Sequence, residues 1–192
     1  MYFLALDTET TGLPPKEQLN SKNYERWCRL IELSYALFDY SGQCLTSYHV
    51  LIKPNGFTIP SEATCIHGIS TAEAIQQGVS IEMALEYFTI ALERADYLIA
   101  HNIKFDMDVL QSEYFRTGSQ SLFYSEKKLF CTAEMSKTYQ RKHLKIKNPR
   151  FLSLSTMYDL LFNKKIQYPH RALSDTHACA EIFFNLQRKI QA

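Results

Sequence analysis

Tyr2-Phe3-Leu4-Ala5-Leu6-Asp7-Thr8-Glu9 is an apolar run with aromatic content that ends abruptly in two acids. Such a run, closed by polar residues, predicts a buried strand over Tyr2–Leu6 with Asp7 and Glu9 at its end. Side chains alternate along a strand, so residues two apart share a face and both carboxylates point the same way. Two like charges beside an apolar strand repel and lose hydration unless a cation joins them. Hard divalent ions such as Mg²⁺ and Mn²⁺ prefer carboxylate oxygen, which makes this Asp-x-Glu pair a candidate metal site. Two solvated loop acids would give the same pattern, so the pair needs company before it means anything.

Working outward, residues 10–28 are polar, with Gly12, Pro14 and Pro15, and read as a long loop. Arg29–Tyr40 and Cys44–Lys53 are β-branched or aromatic runs split by Ser41-Gly42, a hairpin signal. Ser61–Arg94 has a helical texture, with Ser80 placed to cap a helix whose Ile81, Leu85, Phe88 and Leu92 repeat at helical spacing. Tyr97–Ala100 reads as a short strand, Phe105–Phe115 as a helix, and Lys128–Cys131 as another strand with a short helix after it. Ser153 can cap a helix bearing Leu154, Met157, Leu160 and Leu161. A last helix over Ala172–Ile190 places Leu173, Ala180, Phe183, Phe184 and Leu186 on one side. Three early strands, then strands alternating with helices, predict an α/β fold: a mixed sheet of about five strands, three antiparallel and two parallel, flanked by helices.

No repeat or low-complexity tract divides the 192 residues, so one domain over 1–192 is expected. Apolar residues at 46% and charged residues at 21% exclude intrinsic disorder. The opening segment is too short for a signal peptide, no run approaches the length of a membrane span, and the five cysteines lie far apart in no CxxC pairing. Together these point to a cytoplasmic protein with reduced thiols and no membrane partner.

Two further acids stand at the ends of apolar elements. In Leu98-Ile-Ala-His-Asn-Ile-Lys-Phe-Asp106 a strand ends, His101 and Asn102 turn the chain, and Asp106 falls in the first turn of the next helix, where an acid also complements the helix dipole. In His170-Arg-Ala-Leu-Ser-Asp175 the histidine precedes the last helix and the aspartate lies about one turn inside it.

The ordered series Asp7-Thr-Glu-Thr-Thr-Gly-Leu13, Ala100-His-Asn-x-x-Phe-Asp106 and His170-Arg-Ala-Leu-Ser-Asp175 resembles the DEDDh family of 3′–5′ exonucleases. Arg29-Leu-Ile-Glu-Leu33, His67-Gly-Ile-Ser70 and Leu129-Phe-Cys-Thr132 look like further family segments, and the likeness runs from about Phe3 to Leu186. It implies a ribonuclease-H-like sheet with the acids at its carboxyl ends. It implies that Asp7, Glu9, Asp106 and Asp175 ligate two divalent cations, Mg²⁺ with Mn²⁺ able to substitute, and that His170 is the general base. It also implies substrate contacts at Thr10, Leu13, His67, Asn102 and Phe105. The chemistry is coherent: two ions about 3.5–4 Å apart can stabilise both the attacking and the leaving oxygen of a phosphodiester. Free imidazole titrates at about 6.5, so a neutral His170 can take a proton near pH 7.

The implied activity is hydrolysis at nucleic-acid 3′ ends, single-stranded DNA foremost and RNA as the alternative, with release of 5′-monophosphates. A DNA polymerase is an admissible partner. The rival readings are an RNA-trimming exoribonuclease and a non-catalytic nucleic-acid or polymerase-binding module, and an intact set of acids plus histidine speaks against the latter. Tyr24 and Trp27 in the loop 14–28 could stack on bases or simply anchor the loop. No pattern speaks to oligomeric state.

Twenty-one basic against twenty acidic residues give a formal net charge of +1, which by itself argues against a polyanionic partner. The distribution argues otherwise. Residues 127–150 carry eight basic residues and one acid, Glu134, an excess of seven positive charges that leaves the remainder of the chain at −6. Interleaved with Tyr139 and His143 and followed by Phe151, this segment is expected to track a phosphate chain.

Overall fold

The computed structural model describes residues 1–118 and 127–191. Five strands lie in the order β3-β2-β1-β4-β5, with β1 (Tyr2–Thr10) at the centre. β1 pairs antiparallel with β2 (Leu30–Asp39), which pairs antiparallel with the edge strand β3 (Cys44–Leu51). On its other side β1 runs parallel to β4 (Tyr97–Ala100), and β4 parallel to β5 (Lys128–Cys131). Three antiparallel and two parallel strands are the expected set. The β2–β3 turn is built as its sequence suggests: Asp39 accepts from Ser41 N–H, the Ser41 hydroxyl and Gln43 N–H, and Gly42 takes φ +88° with Phe184 directly against it.

Among the described residues seven helices cover the sheet: α1 (Ser61–His67), α2 (Thr71–Gln77), α3 (Ile81–Arg94), α4 (Ile103–Arg116), α5 (Thr132–Lys142), α6 (Leu154–Phe162) and α7 (Ala172–Gln191). Ser80 and Ser153 cap α3 and α6 through their hydroxyls, as the sequence predicts. Strand alternation divides the core. Leu4, Leu6, Leu33, Leu37 and Leu98 face α3 and α4, whereas Phe3, Ala5, Ala36, Phe38 and Ile99 face α7.

Several expectations need correction. The first strand runs to Thr10, so Asp7 and Glu9 lie within it and not beyond it. The helical stretch 61–94 is three helices, interrupted at Gly68 and Gly78, and α4 begins at Ile103, two residues early. Leu173 and Leu160 are exposed and take no part in the core. The loop 10–28 contains one 3₁₀ turn, Tyr24–Arg26, and is pinned to α4. Trp27 is buried, the Tyr24 ring lies 5.7 Å from that of Phe115, and Arg116 Nη2 donates to the carbonyls of Tyr24 (2.6 Å) and Trp27 (2.9 Å). Of the two readings of Trp27, the anchor is the one its burial supports. Among the described residues no helix is long and apolar enough to cross a membrane.

Candidate active site

Asp7 and Glu9, at odd positions of β1, turn toward the α7 layer, while Thr8 between them turns toward α4. The Thr8 hydroxyl donates to Asp106 Oδ1 at 2.8 Å, tying the first turn of α4 to the strand that carries the other two acids. Parallel pairing of β1 with β4 sets both carboxyl ends on one edge of the sheet, and α4 starts there, so acids from opposite layers meet at that edge. Opposite Glu9 and Thr10, β2 carries an unpaired extra residue, Ile31, a bulge that bends the ladder beside the site. Asp175 enters from the fourth position of α7. One ligating atom each of Glu9, His170 and Asp175 lies within 4.8 Å of the others.

The carboxylates sit uneasily together. Burial raises Asp7 well above the usual carboxylate range, and the charges of Asp106, Asp175 and Glu9 push it further. Burial, then Asp175 and Glu32, pushes Glu9 up to about 8. Burial takes Asp106 to about 7 against the opposing hydrogen bond from Thr8, and Asp175 to about 6 against the backbone N–H of His170. Asp175 Oδ1 is buried and has no hydrogen-bond partner among the described residues. An orphaned buried oxygen among four mutually repelling carboxylates is a donor set that hard divalent cations satisfy, so these residues fit such ions.

These shifts fix a sign for stability. A carboxyl whose folded value is raised stabilises the fold fully below its unfolded value, near pH 4, and loses that contribution as pH rises through the folded value. In EDTA the melting temperature should therefore fall between about pH 5 and pH 8, by on the order of 5 °C for ~2 kcal/mol. Added Mg²⁺ should remove most of that slope. A metal-free melting temperature that rises over this interval would contradict the crowding.

His170 is exposed at the end of a loop, with φ +62° two residues after Tyr168 at +56°. Its backbone N–H donates to Asp175 Oδ2 at 3.1 Å. The next residue, Arg171, donates from Nε (3.1 Å) and Nη2 (2.9 Å) to Glu32 Oε1, and Ala172 N–H donates to Glu32 Oε2 at 2.8 Å. His49 Nε2 lies 2.5 Å from the same Oε1. Burial would raise Glu32, but the hydrogen bonds from His49, Arg171 and Ala172 outweigh it and hold this fully buried carboxyl below its ordinary value. The resemblance includes Glu32 in the segment Arg29–Leu33 but implies no role for it. A second signal is an acid inside the apolar run Leu30-Ile31-Glu32-Leu33, where every neighbour is buried.

The other candidates scatter around this edge. Leu13 is 91% exposed, an apolar side chain presented to solvent. The Thr10 side chain is buried and donates to Gly12 O at 2.7 Å, which leaves its backbone as the part able to meet a ligand. Asn102 stands at the α4 N-terminus with φ +72°; its carbonyl accepts from Phe105 N–H at 2.8 Å, but its side chain makes no capping bond. Phe105 packs partly into the core and, with Asn102, Lys104, Trp27 and Pro14, lines a pocket of about 420 Å³. His67 is buried; its Nδ1 accepts from Ile69 N–H at 3.0 Å while Nε2 has no partner among the described residues. Burial lowers its pKa, Glu32 raises it and Arg171 lowers it, which puts the ring on their side of the cleft.

Known proteins show the same plan. The exonuclease family model of RNase T matches residues 4–183. DNA polymerase III subunit epsilon of Treponema pallidum is 26% identical over 181 residues, covering 94% of this chain and 74% of that protein. The PolC-type DNA polymerase III of Thermotoga maritima is 30% identical over 181 residues, but the match takes in only 11% of its length. Exonuclease I of E. coli in complex with a dA16 oligonucleotide superimposes with a TM-score of 0.80 at 16% identity, over 99% of this chain and 41% of that one. The ribonuclease-H-like fold is thus shared, and this chain spans less than half of exonuclease I and about a ninth of the PolC-type polymerase.

Proposed function

This chain belongs to the exonuclease family of RNase T, matched over residues 4–183, and from that membership we propose that it is a 3′–5′ exonuclease acting on single-stranded DNA ends. The observation that carries the reading is the meeting of Glu9, His170 and Asp175 within 4.8 Å beside Asp7 and Asp106 at one sheet edge. Asp7, Glu9, Asp106 and Asp175 are the residues that would hold two divalent cations, Mg²⁺ or Mn²⁺, and such ions would supply charge stabilisation for phosphodiester cleavage. His170, on its exposed loop, takes the proton of the attacking water. Thr8 fixes Asp106 in register with Asp7 and Glu9, and the backbone N–H of His170 fixes Asp175. Leu13, the backbone at Thr10, His67, Asn102 and Phe105 receive the terminal nucleotide, and the exposed Leu13 is suited to wedge against its base.

DNA is favoured because the relatives include DNA polymerase III proteins and the structural neighbour holds an oligodeoxynucleotide. The same relatives support a DNA polymerase as partner; a cytoplasmic location and a catalytic unit of residues 1–192 belong to the same proposal. The test is a degradation assay with 5′-labelled DNA and RNA of one sequence in Mg²⁺ and in Mn²⁺. A ladder shortening from the 3′ end, faster on DNA and releasing 5′-monophosphates, is expected. No ladder on either polymer overturns the assignment, and faster loss of RNA overturns the DNA preference. His170→Ala should lower kcat by roughly 10²- to 10⁴-fold. The melting temperature should stay within about 1 °C, because the ring is exposed and the bond to Asp175 comes from the backbone.

A further inference from the structure

The densest positive charge of the molecule lies away from the acids, in the connection between α5 and α6. Residues 135–150 hold six lysines and arginines and no acid, and residues 141–148 are exposed without interruption, Leu144 and Ile146 included. Arg141, Lys142 and Lys147 make no ion pair among the described residues. The loop is nonetheless fixed: Gln140 donates from Nε2 to Arg150 O at 2.7 Å, Gln140 O accepts from Ile146 N–H at 3.0 Å, and Lys145 Nζ donates to Lys142 O at 2.8 Å. Phe151 follows, 55% exposed, with Lys137 Nζ 3.4 Å from its ring centre.

This basic loop is joined to the acidic edge in two ways. Leu152 O accepts from His101 Nε2 at 2.9 Å, and His101 directly precedes Asn102. A pocket of about 330 Å³ then runs from Ser155 and Thr156 at the start of α6, past Asp159, to Lys165, Ile166 and Pro169, which adjoins His170. This pocket, which bears hydroxyls, a lysine and one acid, thus lies between the residue before His170 and the start of α6, four residues along the chain from the exposed Phe151 ring that follows the basic loop. Cations that track a backbone and an aromatic ring on which a base can stack are the two components of single-strand binding.

We propose that residues 141–151 form a second binding surface for the single strand whose 3′ end occupies the acidic site. The proposal rests on the exonuclease reading for the direction of the strand, but not for the binding itself. It predicts a length dependence: a trinucleotide reaches only the acidic edge, whereas a strand of about 20 nucleotides also reaches the loop.

The test compares the parent chain with the triple variant Arg141→Ala/Lys142→Ala/Lys147→Ala and with Phe151→Ala. Binding of labelled oligothymidylates is followed by anisotropy in Ca²⁺, and degradation in Mg²⁺. For the longer strand, the triple variant should raise Kd and KM about tenfold and flatten the log–log salt slope by about 2, at about 0.7 for each phosphate left without its cation. Phe151→Ala should weaken the longer strand about fivefold or more. Turnover of the trinucleotide should be unchanged in both. An unchanged salt slope on the longer strand, equal losses on both lengths, or parent binding to anionic phosphatidylserine vesicles in place of DNA would each overturn the proposal. If no cleavage occurs at all, the exonuclease reading fails, while the anisotropy still decides whether the loop binds a strand.

Discussion

Asp7→Asn should raise the melting temperature of the metal-free protein by about 5 °C at pH 8 and lower cleavage at least ~10³-fold. Both effects have one cause. Asp7 is flanked by Glu9, Asp106 and Asp175, and burial together with these charges keeps its carboxyl well above the ordinary range. At pH 8 the unfolded chain ionises Asp7 freely and the folded chain does so only at a cost, so the native state bears a penalty that the amide lacks. The sign follows: the advantage of Asn should shrink as pH falls and vanish below about 4, where the carboxyl becomes protonated in the unfolded state as well. Mg²⁺ should stabilise the parent much more than the variant, because the parent alone keeps the full set of oxygen ligands. Melting curves with EDTA and with Mg²⁺ at two pH values read all of this. A variant that melts below the parent in EDTA at pH 8, or that keeps its turnover, sinks the account.

That trade of stability for chemistry bears on what the amino-acid sequence could disclose. Strand and helix positions are local matters: the apolar run at Tyr2–Leu6, the Ser41-Gly42 turn, and the hydroxyl caps at Ser80 and Ser153 each act within a few residues, and each is visible in the chain. The acids were legible for the same reason, since Asp7 and Glu9 share a strand face by spacing alone. The ties that bring the three motifs together were not. Thr8 reaches Asp106 across 98 positions and Glu32 reaches Ala172 across 140, and nothing local marks either pair. Side-chain direction was also hidden. Leu173 fits the apolar stripe of α7 by period yet is exposed in the first turn. The spacing leaves Trp27 open to stacking or anchoring, and its burial, with Arg116 from 89 positions away holding its carbonyl, is what favours the anchor.

Glu32→Gln should lower kcat by roughly 10- to 100-fold with KM changed less than about threefold, although Glu32 is proposed to touch neither substrate nor cation. Glu32 holds the two residues after His170: Arg171 through paired donors at 2.9 and 3.1 Å, and the backbone of Ala172 at 2.8 Å. His170 itself occupies a left-handed conformation on an exposed loop, which needs support from its neighbours to stay in one place. The amide keeps an oxygen for Ala172 N–H but gives up the charge that pairs with Arg171 and His49, so the loop gains freedom while the strand keeps its packing. Glu32→Ala removes every bond and leaves Arg171 without its partner, a change worth about 3–5 kcal/mol and on the order of 10 °C. Kinetics at a temperature well below both transitions separates positioning from stability. A role confined to folding would leave the Gln variant with parental kcat while it remains folded. A role in placing His170 would lower kcat at once with KM nearly unchanged, and be only partly restored by Glu32→Asp, whose shorter arm cannot reach both Arg171 and Ala172.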